Sequence, residues 1–237
     1  MAKGNTTWKV FPHGEIEKLS SRLWRVEAQL GTTPLKRVMT IAKRSDGGLV
    51  IHNGVALDDA QMAEIDAWGA VVSIIVPNGF HRLDAKPFHD RYPKARIVSP
   101  VGARAKVEQV VPVTHTYEDE HADGAVRLET LDGTKQGEGA MIVRDDAGTS
   151  LVLNDAVFNM PHAKGATGWV LKNVTGSSGG PRVSRIMRML GIKDKKAFRA
   201  HLERLADLPD LVRIVVSHHV TIDQDPAGTL RAVAATL

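Results

Sequence analysis

Residues 70–100 read AVVSIIVPNGFHRLDAKPFHDRYPKARIVSP, and their order of apolar and polar runs decides the fold. Val71 to Val76 is a short β-branched run of the kind that forms a strand buried on both faces. Pro77-Asn78-Gly79 ends it, and His81, Asp84, His89 and Asp90 follow before a second apolar strand at Arg96 to Val98. Between these groups, Pro87 to Tyr92 reads as a helix. A strand that runs into a loop rich in His and Asp is where α/β proteins place chemistry, just beyond the carboxyl edge of the sheet. Immediately upstream, Asp58 to Gly69 reads as a complete helix, with Asp58 as N-cap, Met62, Ile65 and Trp68 as one apolar face, and Gly69 as C-cap. Leu49 to His52 forms the strand before it. Strand, helix and strand in that order predict a parallel pair with a right-handed crossover.

Outward from this unit the pattern becomes antiparallel. Leu23 to Ala28 alternates apolar and polar, Gly31 to Pro34 is a turn, Lys36 to Lys43 is a second strand, and Ser45-Asp46-Gly47-Gly48 closes a hairpin onto Leu49 to His52. Residues 1 to 20 read as a loose lead-in to a single domain covering 1–237. Downstream, Val101 to Val107 is a short helix and 115–123 an acidic loop. Val126 to Leu131, Ala140 to Val143 and Ser150 to Leu153 are strands, the last two hinged at Asp145 to Gly148. Arg182 to Leu190 and Lys195 to Leu205 carry helical periodicity, which makes Ile186, Met189 and Leu190, then Phe198, Leu202 and Leu205, the apolar faces, with Met187 as a further core residue. Leu211 to Val216 is a last strand and Thr229 to Leu237 a last helix. The run Thr175 to Arg182 (TGSSGGPR) lacks the spacing of a phosphate loop and reads as a mobile lid or helix lead-in.

Composition narrows the function classes. The chain has 237 residues, 43% of them hydrophobic and 24% charged, which suits a soluble globular protein with a real core. Its 31 Lys and Arg are offset by 27 Asp and Glu and form no basic block, so no nucleic-acid partner is expected. Cysteine is absent, which removes disulfides, thiolate metal sites and a cysteine nucleophile. The first residues lack a signal-peptide core and no apolar run is long enough to span a bilayer, so a cytoplasmic protein without a membrane partner is expected.

Three strand ends carry metal-competent residues: His81 and Asp84 after Val76, Asp155 after Leu153, and His218 with His219 after Val216. Imidazoles and carboxylates suit zinc, iron or manganese, and an open coordination position would turn bound water into a nucleophile. Each histidine alone is more often a hydrogen-bonded structural residue; the three sites together carry the hypothesis. Side chains alternate, so only one of His218 and His219 should face the site. His89, His115 and His121 read as surface or loop residues, and His162 as a neighbour of the Asp155 pocket.

The runs IIVPNGFH (74–81) and RYPKA (91–95), with the strand-to-loop stretch 49–78, resemble an uncharacterised branch of the metallo-β-lactamase-like hydrolase superfamily. The resemblance spans roughly residues 20 to 225. It implies an α/β (α+β) four-layer αβ/βα sandwich, two sheets with helices outside. The superfamily's first metal signature is His-x-His-x-Asp-His; here that neighbourhood holds Asn78, His81 and Asp84. Its next histidine falls in a turn that corresponds to Leu131 to Gly137, which contains none. The bridging Asp is matched by Asp155 and the late His by His218. The resemblance therefore implies a single divalent metal on His81, Asp155 and His218, with Asp84 as a further ligand or general base. The reaction would be hydrolysis of an ester, amide, thioester or phosphoester in a small-molecule substrate. Two other readings use the same fold: a metal-free member acting as a binding or scaffold protein, and a metal-free enzyme or small-molecule binder.

Overall fold

A computed structural model describes residues 4–31 and 35–237. Beyond Gly31, the turn expected over 31–34 lies outside the described residues. Seven strands form the first sheet, paired in chain order. These are β1 (Glu17–Lys18), β2 (Leu23–Gln29), β3 (Lys36–Lys43), β4 (Leu49–His52), β5 (Val71–Ile75), β6 (Arg96–Ser99) and β7 (His115–Thr116). The pairs from β1 to β4 are antiparallel and those from β4 to β7 parallel. Helices α1 (Asp59–Trp68), α2 (Ala85–Arg91) and α3 (Arg104–Val107) make the connections. The second sheet contains β8 (Val126–Thr130), β9 (Gly139–Asp145) and β10 (Gly148–Leu153). A hairpin of β11 (Phe158–Met160) and β12 (Gly180–Arg182) follows, spaced by α4 (Gly165–Asn173). After α5 (Lys195–Ala206), β13 (Leu211–Val216) returns to pair parallel with β10, and α6 (Pro226–Ala235) ends the fold.

Alternation along the strands builds three apolar layers. Val50, Ile75 and Val98 of the first sheet meet Met141, Val143, Val152 and Val215 of the second between the sheets. Their neighbours Ile51, Ile74 and Ile97 face the other way, onto Met62 and Ile65 of α1, Phe88 of α2 and Val107 of α3. On the far side Ile142, Leu151, Leu153 and Ile214 pack under Phe198, Leu202 and Leu205 of α5 and Leu230 and Val233 of α6. The result is the four-layer αβ/βα sandwich, built from strands that are apolar on both faces.

Helix α1 has the expected ends. Asp58 accepts from the Gln61 amide at 2.9 Å, and Gly69 follows the last turn. Trp68 stacks flat on Trp24 of β2, ring centroids 3.8 Å apart. Three expectations change. The lead-in is tied down: Asn5 donates its amide to the Leu83 carbonyl at 2.6 Å, and the Trp8 indole donates to the Leu57 carbonyl at 2.9 Å. The Gly/Ser run is part of the sheet hairpin, because Gly179 donates to the Met160 carbonyl at 2.7 Å while Ser177 and Ser178 are buried. The helix expected over 182–190 starts later, since Arg182 belongs to β12; residues 185–191 are helical and end in a π-type turn, Met187–Gly191. That turn buries Met187 but leaves Ile186, Met189 and Leu190 exposed, so three residues expected in the core lie on the surface.

His52 ends β4 on the inter-sheet face, fully buried, and neither ring nitrogen has a partner among the described residues. Burial, with the nearby His81 adding to it, lowers its pKa from 6.5 to about 3. The unfolded chain takes up this proton at the ordinary histidine pKa while the folded protein refuses it. The associated stability is therefore present above pH 6.5 and drains away as pH falls toward 3, by at most about 1.4 kcal/mol per pH unit. Urea unfolding of wild type and His52→Leu between pH 7 and pH 4 should show a clearly shallower acid loss in the variant. Parallel curves would contradict this account of His52.

Candidate metal centre

The parallel pairs β4–β5–β6 and β10–β13 set their carboxyl ends at one edge of the sandwich. His52 is in register with Ile75, and Leu153 with Val216, so the loops that follow these strands start level. Asn53 follows β4, Asn78 and His81 follow β5, Asp155 follows β10, and His218 follows β13. The Val38 amide of β3 donates to the Ser217 carbonyl at 2.9 Å, which ties the first sheet to the loop that carries His218. Asn53 and His219 both adopt left-handed backbone, φ 57 and 62, a cost of the kind stored at functional sites. The turn at His219 carries it away from the site, and His218 is the one that faces in.

Three atoms converge. His81 Nε2 lies 3.2 Å from Asp155 Oδ1, His218 Nε2 lies 3.3 Å from the same oxygen, and the two Nε2 atoms are 3.3 Å apart. The hydrogens of both rings are committed elsewhere. Asn53 donates its Nδ2 to the Val38 carbonyl at 2.8 Å, so its Oδ1 is left to accept from His81 Nδ1 at 3.0 Å. His218 Nδ1 donates to the Lys36 carbonyl at 2.9 Å. Both Nε2 lone pairs therefore point at Asp155, with Phe158 stacked on the His218 ring at 5.3 Å. Nitrogen and oxygen ligands at roughly 2.0–2.1 Å from a tetrahedral zinc stand about 3.3 Å from one another, which matches this triangle. The partners that orient the rings are those of metal-ligating histidines, an amide and a backbone carbonyl on the far nitrogen. These residues fit a divalent cation, and no other cluster of three such groups occurs among the described residues.

Charge is distributed unevenly around the triangle. Burial alone would raise the Asp155 carboxyl, but the adjacent imidazoles hold it well below the usual carboxylate range. Burial lowers His81, and the pull of Asp155 only partly restores it; for His218 the same carboxylate overcomes burial and its pKa stands above the ordinary value. Glu138, just before β9, is the residue that sequence reasoning missed. It is buried, and burial together with the Asp155 charge pushes its carboxyl well above the usual range. Asn78 joins the two acids, donating to Asp155 Oδ2 at 2.7 Å and to Glu138 Oε1 at 2.6 Å. Its own Oδ1 accepts the amides of Phe80 and His81 at 2.8 and 2.9 Å, which shapes the loop. The available signal was a lone acid at the mouth of an apolar strand, directly after the turn that carries no histidine.

Asp84 is not brought to the triangle. It sits at the start of α2, fully buried, paired with the Arg37 guanidinium and accepting from Asn5 Nδ2 at 2.7 Å. A carboxylate committed to a guanidinium and an amide is neither a further ligand nor a free base. His162 pairs with the Ser178 hydroxyl at 3.1 Å, while His89 lies in the last turn of α2 and His115 in β7.

Beside the triangle lies a cavity of about 620 Å³, bordered by Asn78, Glu138, Asp155 and His218 on one side. No protein-family model matches the chain, and no curated protein matches it. Solved structures do. The DIM-1 metallo-beta-lactamase, in a crystal exposed to ceftazidime, superposes with a TM-score of 0.64 at 12% identity, covering 96% of this chain and 99% of that one. A metallo-beta-lactamase from Pontibacter korlensis gives 0.59 at 13% identity, covering 94% and 99%. VMB-1 gives 0.59 at 11% identity over 98% and 99%. The chain thus has the metallo-beta-lactamase fold. No helix among the described residues is long and apolar enough to cross a membrane.

If the Arg37–Asp84 pair is structural, removing one partner strands a buried charge. Arg37→Ala should cost about 3–5 kcal/mol in urea unfolding, and Arg37→Met with Asp84→Leu should recover most of it. Asp84→Asn should leave metal stoichiometry at the wild-type value; loss of the metal in that variant would return Asp84 to the ligand set.

Proposed function

We propose that the protein is a single-metal hydrolase in which His81, Asp155 and His218 hold one divalent cation, zinc by the match of donor set and spacing. The observation that carries this reading is the convergence of two Nε2 lone pairs and one carboxylate oxygen within 3.2–3.3 Å, with every ring hydrogen turned outward. A cation held there would polarise a carbonyl or phosphoryl oxygen and acidify a bound water.

The chain's own residues do the rest. Asn53 and the Lys36 carbonyl hold both imidazoles in the Nδ1–H tautomer. Asn78 fixes one oxygen of Asp155 so that the other stays aimed at the triangle. Glu138 lines the same cavity, and its Oε2 has no partner among the described residues. It is placed to hand a proton from that oxygen to a leaving group or to take one back. The apolar cavity wall excludes water from the bond to be broken. The substrate in this reading is a small molecule with an ester, thioester, amide or phosphoester bond.

Metal analysis of protein purified without chelator should find close to one equivalent per chain, and single His81→Ala, Asp155→Ala and His218→Ala variants should lose it. Glu138→Gln should keep the metal while hydrolysis of a generic ester falls about 10²-fold. Protein that carries no metal and takes up none on titration would overturn the hydrolase reading in favour of a metal-free binding protein with this fold.

A further inference from the structure

The cavity beside the metal triangle has a character of its own. Its lining includes Met160, Leu171 and Met187, all buried, together with Leu35 and with Phe158, which stacks on His218. Its rim is apolar too, and exposed: Phe80 on the site loop and Ile186 and Leu190 on the π-type turn keep 64%, 47% and 61% of their surface. Among the described residues ten large apolar side chains are exposed, and six of them fall between Trp169 and Leu190, where Ile186 and Leu190 border the cavity itself. Exposed apolar surface concentrated in this way marks a binding face, and single-turn π segments recur at functional sites. The charged rim groups are Lys106 and Lys135. The Lys106 ammonium lies over the Phe80 ring at 4.8 Å, so its aliphatic stem extends the apolar edge. Gly102 permits the close approach of this rim, since a Cβ there would stand 2.3 Å from the Lys135 carbonyl oxygen. A space of about 620 Å³ falls in the range of sites that enclose most of a small organic ligand.

We infer that the substrate is an acyl ester or thioester with a flexible aliphatic chain, its carbonyl at the His81–Asp155–His218 triangle and its chain along Leu171, Met187 and Leu190. The assignment rests on the hydrolase reading for the reaction but on the cavity alone for the chain. In the reaction, the oxygen of water bonds to the acyl carbon as the carbon–oxygen or carbon–sulfur bond breaks. The departing atom takes a proton, and a fatty acid and an alcohol or thiol leave. The π-type turn and α4 supply the side chains that select the length of the acyl part.

The test separates chain binding from chemistry. Calorimetric titration of the metal-free protein with neutral octanamide and butanamide should show the longer amide binding roughly 50- to 200-fold more tightly, since four further methylenes enter the cavity. Leu190→Asp, at an exposed position that should not disturb folding, should weaken octanamide about tenfold and leave butanamide unchanged. Val10→Asp, equally surface-borne but away from the cavity, should change neither. Octanamide and butanamide binding alike, or Val10→Asp acting as Leu190→Asp does, would overturn the inference. In the zinc-loaded protein, octanoyl thioester should exceed butyryl thioester in kcat/KM by a similar factor. Length-dependent binding with no turnover of either thioester would uphold the aliphatic site and sink the hydrolase reading; turnover independent of length would do the reverse.

Discussion

Strand β3 fastens the two sheets together, and the site exists because of that joint. Its Val38 amide donates across to the Ser217 carbonyl, and two of its own carbonyls, Lys36 and Val38, receive the hydrogens of His218 and Asn53. One short piece of backbone thus sets the position of the second sheet's last loop, the tautomer of His218 and, through Asn53, the tautomer of His81. The strands around it are largely apolar on both faces, and the polar groups of the site stand at strand ends, where the backbone leaves the sheet and can meet water or a ligand. Register does the remainder. Parallel pairs begin their loops level with one another, and five side chains from four loops arrive at one point without any one loop being long.

The electrostatics follow from this enclosure. Two carboxylic groups linked by one Asn78 amide in a buried place cannot both ionise without a large cost. Asp155 has two imidazoles beside it and its carboxyl is held low; Glu138 has none and is pushed high by burial and by the Asp155 charge. Asp84 and Arg37 form a separate neutral pair, closed off by Asn5. That arrangement gives the amino-terminal segment a structural purpose, since the residues before β1 supply part of the shell around the buried pair.

Much of the fold is legible in the sequence for a definite reason. Asp58, Met62, Ile65 and Gly69 mark α1 by cap and period together, and the runs at 71–76, 150–153 and 211–216 are too short and too apolar to be anything but buried strands. Asp155 and His218 are legible because each stands two residues past such a run, and His81 because it lies in the short loop that ends one. Glu138 is not, because its role depends on Asn78 and Asp155, which are sixty and seventeen residues away and whose proximity is set by tertiary structure. Asp84 misleads for the converse reason: its position in the loop suits a ligand, but Arg37, on a strand far upstream, claims its charge. Helical spacing at 182–190 misleads too. The period predicts which side chains share a face and says nothing of whether a core exists to receive them. Here β12 takes the first residue of that segment, and Ile186, Met187 and Leu190 border a cavity.

Charge counting argues that one cation is the natural capacity of the site under the proposed reading. With a cation bound, the triangle would bring one negative charge from Asp155 and two imidazoles ligating through Nε2, beside Glu138, whose carboxyl is pushed well above the usual range, while Arg37 is paired with Asp84. One divalent cation leaves a net single positive charge in a poorly hydrated place, which suits the negative oxygen that develops as water attacks a carbonyl. A second cation would raise that excess to three, of which Glu138 could offset only one, and uncompensated charge away from water is costly. Under that reading, residues that would serve the first ion stand where a second would need histidines. Asn78 orients Asp155, and Glu138, directly after the turn at 131–137, would carry the proton. Under the proposed reading the departures from the superfamily's signature are consistent with one another, since each would suit one ion, one proton and an apolar chain.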